Sequence, residues 1–456
     1  MSEEKVTEER KENKMGVLPV NRLLITISLP MMISMLVQAL YNIVDSIFVA
    51  KISEDALTAV SMAFPLQTLM IALAGGTGVG INAILSKALG EKRFERANQA
   101  AGNGIFLAII SFLVFLFLGA TVVRPFYMGQ TTDTEIIAHG VDYLTVVLCA
   151  SAGLFGQFIF ERLLISTGRT MLSMITQGTG AIINIILDPI LIFGLLGFPQ
   201  LGVRGAAIAT VIGQTTAAVM ALIFNLKKNP DIRLSFRGLR PNGKMIGEIY
   251  RIGIPSIIMQ SIGSVMVYIM NKILIGFSTT AVAVFGVYFK LQSFIFLPVF
   301  GLNNGLIPII AYNYGAQKRK RMMDAWKLSW LYATIMMLVG TLLFEVIPGT
   351  LLSFFSASQD MLEIGVPALR IIGIHFPIAA FCIVTVSYFQ ALGKSIYSMI
   401  NSIMRQVVVL IPVAYLLSLT GEVNNVWWAF PIAEIMSFTV TTFFLIRINR
   451  NIISKV

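Results

Sequence analysis

Two acidic residues, Asp45 and Asp188, lie inside long apolar stretches of this 456-residue chain. Gln38 and Asn42 precede Asp45 by seven and three residues, and Asn184 precedes Asp188 by four. At these spacings each acid shares a helix face with amide side chains. A charged group among apolar residues is costly unless it faces a cavity or a partner. Two carboxylates with amide oxygens can hold a proton between them or ligate a small hard cation.

Further polar residues are expected to join the two acids. Thr210 and Gln214 are four residues apart in another apolar stretch, and Tyr143 begins a third one. If these stretches cross a membrane, then Asp45, Asp188, Thr210 and Tyr143 all lie within about two helical turns of the same membrane face. The sequence therefore predicts a coupling site for H⁺ or Na⁺ near that face, with Gln38, Asn42 and Gln214 lining a cleft beside it.

Each acid also has a structural interpretation. Asp45 could extend toward the interface beside Lys51, and Asp188 could cap a helix end before Pro189. The coincidence of two such acids at one depth favours the functional interpretation. Proline removes a backbone donor inside a helix and bends it, so Pro30 and Pro189 are predicted to act as hinges.

The remaining polar residues give weaker signals. Lys290 and Glu434 stand in the eighth and twelfth apolar stretches, where they either line the cleft or pair with each other. His139 and His375 have no Cys, Asp or Glu at ligand spacing, so no metal site is predicted apart from Na⁺ at the coupling site. Residues 75–80 are rich in glycine, but no Gly-Lys-Ser/Thr follows, so close helix packing is favoured over phosphate binding. No arrangement typical of an enzyme or an ATPase is present.

The composition of the chain identifies the elements that must position these residues. Hydrophobic residues make up 56% of the sequence and charged residues 12%, with a mean hydropathy of +0.81. A soluble globular protein carries about 25% charged residues, so that class is excluded together with disordered chains. A membrane-spanning helix needs about 20 apolar residues. Twelve such runs lie near 22–49, 56–85, 101–123, 141–160, 171–196, 203–226, 246–276, 281–310, 327–347, 363–390, 396–419 and 427–446.

Basic residues fall mainly in every second connection between these runs. Those connections hold Lys and Arg at 87–96, 162–169, 227–251, 318–321 and 394. The positive-inside rule then predicts a multi-pass plasma-membrane protein with both termini in the cytoplasm. The net charge of +11 thus reflects the membrane topology. The lipid bilayer is an expected partner, and a nucleic acid is not.

The two halves of the chain repeat each other. Matching residues are separated by the same number of positions throughout, as Pro30 is from Pro255. Other pairs at the same offset are Gly76 with Gly301, Gly80 with Gly305, Gly90 with Gly315, Arg96 with Arg321 and Gly168 with Gly393. Each repeat has six spans, so both begin on the same side, related by an axis along the membrane normal. The positions that match Asp45 and Asp188 hold Met270 and Val413, which places the predicted coupling site in the first repeat.

The repeat predicts an all-α integral membrane protein of two six-helix lobes with a cleft between them. The lobes are expected to join at the longest basic connection. The predicted segments are a tail (1–21), an N-lobe (22–226), a connecting loop (227–245), a C-lobe (246–448) and a second tail (449–456).

Several stretches make the chain similar to multidrug and toxic compound extrusion (MATE) transporters. They are residues 41–49 (YNIVDSIFV), 184–189, 205–210 (GAAIAT) and 311–316 (AYNYGA). The resemblance extends from about Leu23 to Ile448. It implies twelve helices in two lobes around a V-shaped cleft, and export of cationic and amphipathic compounds in exchange for H⁺ or Na⁺.

Within this family the chain most resembles the DinF-like branch, which keeps two aspartates with an asparagine, a threonine and a tyrosine. The resemblance places these at Asp45, Asp188, Asn184, Thr210 and Tyr143. The C-lobe acids of the NorM-like branch are missing from the seventh, eighth and tenth runs. No cofactor is implied beyond the coupling ion, and a monomer is expected.

Two other functions remain open at this point. A lipid-linked precursor flippase of the same superfamily would have similar lobes, but its cleft needs basic residues for a pyrophosphate, and here Lys290 and Lys272 are the candidates. A passive channel would conduct ions without exchange, and neither filter motifs nor rings of charge support it.

Overall fold

Helices account for all regular secondary structure in the described part of the chain. The structure is a computed structural model that describes residues 12–235, 240–355 and 357–455. The helices of the first half are α1 (Lys14–Val17), α2 (Val20–Ala50), α3 (Glu54–Met62), α4 (Phe64–Gly90), α5 (Phe94–Thr121), α6 (Val123–Met128), α7 (Thr134–Cys149), α8 (Ala152–Ser166), α9 (Thr170–Phe193) and α10 (Val203–Lys228).

The second half of the chain has the same architecture. Its penultimate span is interrupted by a π-helical segment, Met404–Leu410. The helices are α11 (Gly243–Leu274), α12 (Thr279–Gly315), α13 (Arg319–Val346), α14 (Pro348–Ser353), α15 (Gln359–Gly373), α16 (Phe376–Ala391), α17 (Ser395–Ile403), α18 (Ile411–Ser418), α19 (Val423–Val426) and α20 (Ala429–Asn451).

The count of membrane spans agrees with the prediction of twelve. Ten helical segments of the described chain are long and apolar enough to cross a membrane, and two bent pairs raise the number to twelve. The bent pairs are α7 with α8, at 44°, and α15 with α16, at 51°. The apolar runs did not predict these bends. Pro377 at the start of α16 explains the second one, because proline is favoured in the first helical turn and not beyond it.

The backbone conformation repeats together with the sequence. Lys92 and Gln317, which are equivalent positions of the two repeats, have positive φ angles of 59° and 56°. Gly168 and Gly393 have φ angles of 80° and 73°. A positive φ is rare for a residue other than glycine, so its recurrence at one offset confirms the internal repeat. We call α2–α10 the N-lobe and α11–α20 the C-lobe; their exact boundaries at 22–226 and 246–448 stay a prediction.

Glycines of α4 bring the two lobes into close contact. A Cβ atom added to Gly76 would lie 2.8 Å from the carbonyl oxygen of Gly253 on α11, and one added to Gly80 would overlap the Ile249 carbonyl. These glycines are thus required for close packing of α4 on the opposite lobe. The glycine-rich stretch 75–80 is a packing surface, as its sequence predicts.

The repeat-related glycines of α12 make the symmetric contact. Gly301 faces the backbone of Met32 on α2, and Gly305 faces Ser28. The Ser28 hydroxyl donates a hydrogen bond to the Leu302 carbonyl at 3.3 Å. The lobe interface is therefore built twice from the same glycine positions, once by each repeat.

These interlobe contacts lie toward one end of the molecule. We call it the basic end, because the basic α4–α5, α8–α9, α12–α13 and α16–α17 connections meet there with α1. Toward the opposite end, α2 and α11 expose large apolar side chains, including Leu40 (57%), Ile47 (50%) and Tyr268 (63%). Exposed apolar surface of this kind is expected for helices that face lipid or an open cleft.

Candidate coupling and substrate site

The two predicted acids meet inside the N-lobe. Asp188 on α9 is fully buried, and its carboxyl group lies within hydrogen-bonding reach of the Asp45 carboxyl on α2. Among the described residues, the buried Asp45 Oδ1 atom has no hydrogen-bond partner. Ionised carboxylates only accept hydrogen bonds, so a bond between these two groups requires a proton on one of them. The pair can therefore store a proton.

Asn184 connects this acid pair to α10. It is 2% exposed. With its amide nitrogen toward α9, Asn184 donates to Asp188 Oδ2 at 3.2 Å, while its oxygen accepts from the Thr210 backbone N–H at 3.1 Å and hydroxyl at 3.2 Å. This orientation satisfies both ends of the amide, whereas the reverse leaves its oxygen facing acceptors. The structure thus brings Asp45, Asp188, Asn184 and Thr210 together, and their role in coupling stays a prediction.

Tyr143 completes the cluster from α7. Its hydroxyl accepts a hydrogen bond from Gln67 Nε2 at 3.0 Å, and both Tyr143 and Tyr41 lie close enough to Asp45 for electrostatic interaction. Sequence reasoning missed Gln67 and Tyr41 as members of the site. The spacing of Tyr41, four residues before Asp45, was a signal that could have identified it.

The acid pair has no basic counterpart in the described ranges 12–235, 240–355 and 357–455. No Lys, Arg or His side chain there forms a salt bridge with Asp45 or Asp188. The same ranges contain no group of three His, Cys, Asp or Glu residues suited to a metal ion. Besides a proton, the cluster could accept Na⁺ through its carboxylate, amide and hydroxyl oxygens, which are ligands for hard cations.

A cavity, which we call the N-lobe cavity, adjoins the acid pair on the side of the basic end. It contains about 810 Å³ of empty space including its mouth. Asn184 and Thr210 line it and also belong to the acid cluster, and the predicted cleft residues Gln38 and Gln214 line it as well. Its mixture of apolar side chains and a few polar groups is typical of small-molecule sites.

The N-lobe cavity also contains a carboxylate that the sequence reasoning missed. Glu161 on α8 is 9% exposed and accepts hydrogen bonds from Thr176 Oγ1 at 3.0 Å and Gln157 Nε2 at 3.2 Å. Its neighbour Arg162 lines the same cavity and donates to Asn304 Oδ1 of the C-lobe at 3.0 Å. The predicted fourth span ended at 160, although the apolar residues 163–165 that follow the two charges indicated a longer helix.

Other residues predicted for the cleft lie elsewhere. Asn42 is exposed on α2 and does not line the cavity. Lys290 is exposed on α12, with its Nζ atom 5.9 Å from the centre of the Phe355 ring. Pro30 and Pro189 lie inside the continuous helices α2 and α9, and their roles as hinges stay predictions.

Glu434 has a different partner from the one considered. It is 2% exposed on α20, and its Oε2 atom lies 3.2 Å from Nη1 of Arg405 in the π-helical segment. The alternative that Glu434 pairs with Lys290 is therefore wrong. Arg405 lies on the fifth span of the C-lobe and Glu434 on the sixth. Because the two residues are on different helices, their contact depends on how those helices are rotated and not on sequence spacing.

The family follows from comparison of the whole chain. The MatE family profile matches residues 30–190 and again residues 255–416, so the two matches begin at the repeat-related prolines and cover most of the chain. The chain belongs to the MATE family. Membership in this transporter family agrees with the expectation of a membrane transporter without an organic cofactor.

Relatives and solved structures agree with this family. The multidrug export protein MepA of Staphylococcus aureus (strain MSSA476) is 28% identical over 421 residues, covering 91% of each chain. An outward-facing multidrug resistance MATE transporter of the MOP superfamily has a similar fold, with a TM-score of 0.90 and 23% identity over 98% of this chain and 99% of its own. A MATE transporter in the bent conformation also has a TM-score of 0.90, at 23% identity and 98% coverage of both chains. The MATE fold of two six-helix lobes is thereby confirmed.

Proposed function

We propose that this MATE protein is a secondary active antiporter that exports cationic and amphipathic compounds in exchange for H⁺. The observation that carries the proposal is the contact between the Asp45 and Asp188 carboxyl groups, without a basic partner in the described chain. Such a pair needs a proton or a cation to offset its charge. The amide, hydroxyl and phenol oxygens around it make Na⁺ the second candidate for the coupling ion.

Asn184 and Thr210 would couple ion uptake to substrate binding, because both residues contact the acid cluster and also line the cavity. Uptake of a proton by Asp45 or Asp188 changes the hydrogen bonds available to Asn184, which also lines the cavity. The ion and the substrate would therefore favour different arrangements of α2, α9 and α10, so that binding of one weakens binding of the other. A ligand can shift a conformational equilibrium only through such differential binding.

The substrate class follows from the lining of the cavity. Glu161 supplies a carboxylate for a cationic group, and Met31, Met35 and Phe158 supply apolar surface for flat ligands. Arg162 is the one basic residue among the lining residues, and it is already bonded to Asn304. This lining supports a drug-like cation better than the pyrophosphate of a lipid-linked precursor.

The proposed orientation places the basic end in the cytoplasm of a plasma-membrane protein, with both termini on that side. The lobes are packed together at the basic end, so the N-lobe cavity would open toward the outside in this conformation. We expect the protein to function as a monomer, because one chain supplies both lobes and all residues of the acid cluster.

Efflux from proteoliposomes tests the proposal. Reconstituted protein is given a fluorescent cationic dye under an imposed pH gradient and, separately, under an imposed Na⁺ gradient. We expect wild-type protein to move dye against its gradient, and Asp45→Asn and Asp188→Asn to reduce active transport at least about 100-fold, because ion coupling is lost. The exposed acid Asp142 provides the matched control, Asp142→Asn, which keeps wild-type transport.

The result separates the alternatives. Dye movement driven by pH alone supports H⁺ as the coupling ion, and movement driven by Na⁺ alone supports Na⁺. If correctly inserted Asp45→Asn and Asp188→Asn proteins accumulate dye at the wild-type rate, the assignment of the coupling site is wrong. Downhill ion flow that is independent of dye would identify a channel instead.

A further inference from the structure

The internal repeat creates two equivalent clefts at the basic end, one on each side of the lobe interface. Helix α1 fills the first of them. Arg321 donates to the Leu18 carbonyl at 2.6 Å, and Lys318 donates to the Gly16 carbonyl at 3.0 Å. On the N-lobe side, Asn13 Nδ2 donates to the Thr167 carbonyl at 3.1 Å. The first cleft is thus occupied by a segment that binds both lobes.

The second cleft is formed by the residues at the equivalent positions of the other repeat. Thr167 corresponds to Leu392 and Arg321 to Arg96. Leu392 and Arg96 both line a cavity that contains about 890 Å³ of empty space including its mouth. The described segment that leads into α11, residues 240–242, does not line this cavity, whereas α1 fills the first cleft. Its Asn242 backbone N–H instead donates to Asn103 Oδ1 on α5, at 2.8 Å. We call this cavity the open basal cleft.

The open basal cleft has an excess of positive charge. Among the described residues, four basic and two acidic side chains line it, which gives a net charge of +2. Both acids have basic partners: Lys87 lies 3.7 Å from Glu91, and Arg96 lies 2.6 Å from Glu248. The two remaining basic residues are Arg251 and Lys394.

Arg251 and Lys394 have no partner for their charged groups. In residues 12–235, 240–355 and 357–455, neither side chain forms a salt bridge, a hydrogen bond or a ring contact. Guanidinium and ammonium groups that converge on one cavity are the usual recognition chemistry for phosphate oxygens. Both residues belong to the C-lobe, while Lys87 and Arg96 approach from the N-lobe.

We propose that the open basal cleft binds a phosphate-bearing anion that joins the two lobes at the basic end, as α1 does in the equivalent cleft. Arg251 and Lys394 supply the free positive charges, and Lys87 and Arg96 form the opposite wall. A bound anion offsets the net charge of +2 and stabilises the conformation in which the lobes are packed at this end. The phosphate could belong to a lipid headgroup or to a free ion.

Thermal unfolding of the purified full-length protein in detergent tests this proposal. The probes are inorganic phosphate, phosphatidylglycerol micelles and phosphatidylcholine micelles, each compared with sodium chloride at equal ionic strength. We expect phosphatidylglycerol or inorganic phosphate to raise the unfolding midpoint of the wild type by about 3 °C or more, because a ligand that binds the folded state stabilises it. Arg251→Gln with Lys394→Gln should abolish this shift.

A matched double variant controls for loss of charge. Lys227 and Lys320 are exposed at the same end but do not line the open basal cleft. Lys227→Gln with Lys320→Gln should therefore keep the full shift. Stabilisation by inorganic phosphate identifies a free ion as sufficient, whereas stabilisation by phosphatidylglycerol alone identifies a lipid headgroup.

Three results would overturn the proposal. They are an unchanged shift in the Arg251→Gln/Lys394→Gln protein, equal stabilisation by phosphatidylcholine, and stabilisation by sodium chloride alone. The measurement involves no transport, so its outcome is independent of whether the protein proves to be an antiporter.

Discussion

Arg405 and Glu434 place opposite charges in the middle of the C-lobe, where each depends on the other. Glu434 is 2% exposed, and its Oε1 atom has no hydrogen-bond partner among the residues that the structure describes, so Arg405 supplies the main compensation of its charge. Removing one member of a buried ion pair leaves an uncompensated charge, whereas replacing both members with apolar groups can be close to neutral.

We predict that Arg405→Met or Glu434→Met alone lowers the free energy of unfolding by about 3–5 kcal/mol. The double variant should recover most of that loss. Denaturant unfolding of the detergent-solubilised protein measures all three. A double variant whose loss equals the sum of the two single losses would show that the pair is not energetically coupled.

A second prediction at the residue scale concerns Glu161. It is the one carboxylate among the residues that line the N-lobe cavity. Glu161→Gln keeps the size of the side chain but removes its charge, so we expect the KM for a cationic dye to rise about tenfold, equivalent to about 1.4 kcal/mol. A neutral amphipathic dye should keep its KM. Initial rates in proteoliposomes provide the measurement, and an equal change for both dyes would contradict a charge-specific role.

At the scale of helices, glycine decides how closely the lobes approach. A Cβ atom at Gly90 of α4 would overlap the backbone carbonyl oxygen of Tyr312 on α12, whereas one at Gly286 of α12 would meet nothing within 4 Å. Overpacking at a site that is already in contact costs about 1–3 kcal/mol. Gly90→Ala should therefore disfavour the packed basic end, and Gly286→Ala is the matched control.

Spin labels can measure this effect. Lys227 and Lys320 are exposed at the basic end on different lobes, and a cysteine at each position can carry a nitroxide. In Gly90→Ala protein we expect the population with the longer label distance to increase at least about fivefold relative to the wild type, the equivalent of about 1 kcal/mol. If Gly286→Ala has the same effect, the interlobe contact at Gly90 is not responsible.

Helix boundaries also depend on prolines and bends, which the length of an apolar run does not predict. The predicted second run began at 56, whereas the structure divides it into α3 and α4 at residue 63. Pro65 lies in the first turn of α4, where its missing N–H costs nothing. The bend before α16 has a similar origin at Pro377, while the bend between α7 and α8 occurs without proline at residues 150–151.

For the molecule as a whole, the arrangement of the lobes predicts which side is open to water. Gln38 lines the N-lobe cavity, whereas Ser28, ten residues earlier on the same helix, is 1% exposed against α12. In a background without Cys149 and Cys382, a membrane-impermeant maleimide added to intact cells should label Gln38→Cys at least about tenfold faster than Ser28→Cys. Labelling of Gln38→Cys only after permeabilisation would reverse the proposed orientation.

The sequence alone determined the class of fold and identified the residues of the candidate coupling site. Run length and charge specify membrane helices locally, because each spanning segment must satisfy its own backbone in lipid. The constant offset between the two halves was likewise sufficient to establish two parallel repeats. The acids Asp45 and Asp188 stood out because so few charges occur within the apolar runs, and the structure brings their carboxyl groups together.

Only the tertiary structure decided which charged residues share a cavity or a partner. Glu161 joins the N-lobe cavity, Glu434 pairs with Arg405 rather than Lys290, and Arg251 faces a cleft between the lobes. These relations depend on the rotation and crossing of helices that are far apart in the chain. The periodicity of a sequence specifies the faces of each helix, but close packing of the lobes determines which faces meet.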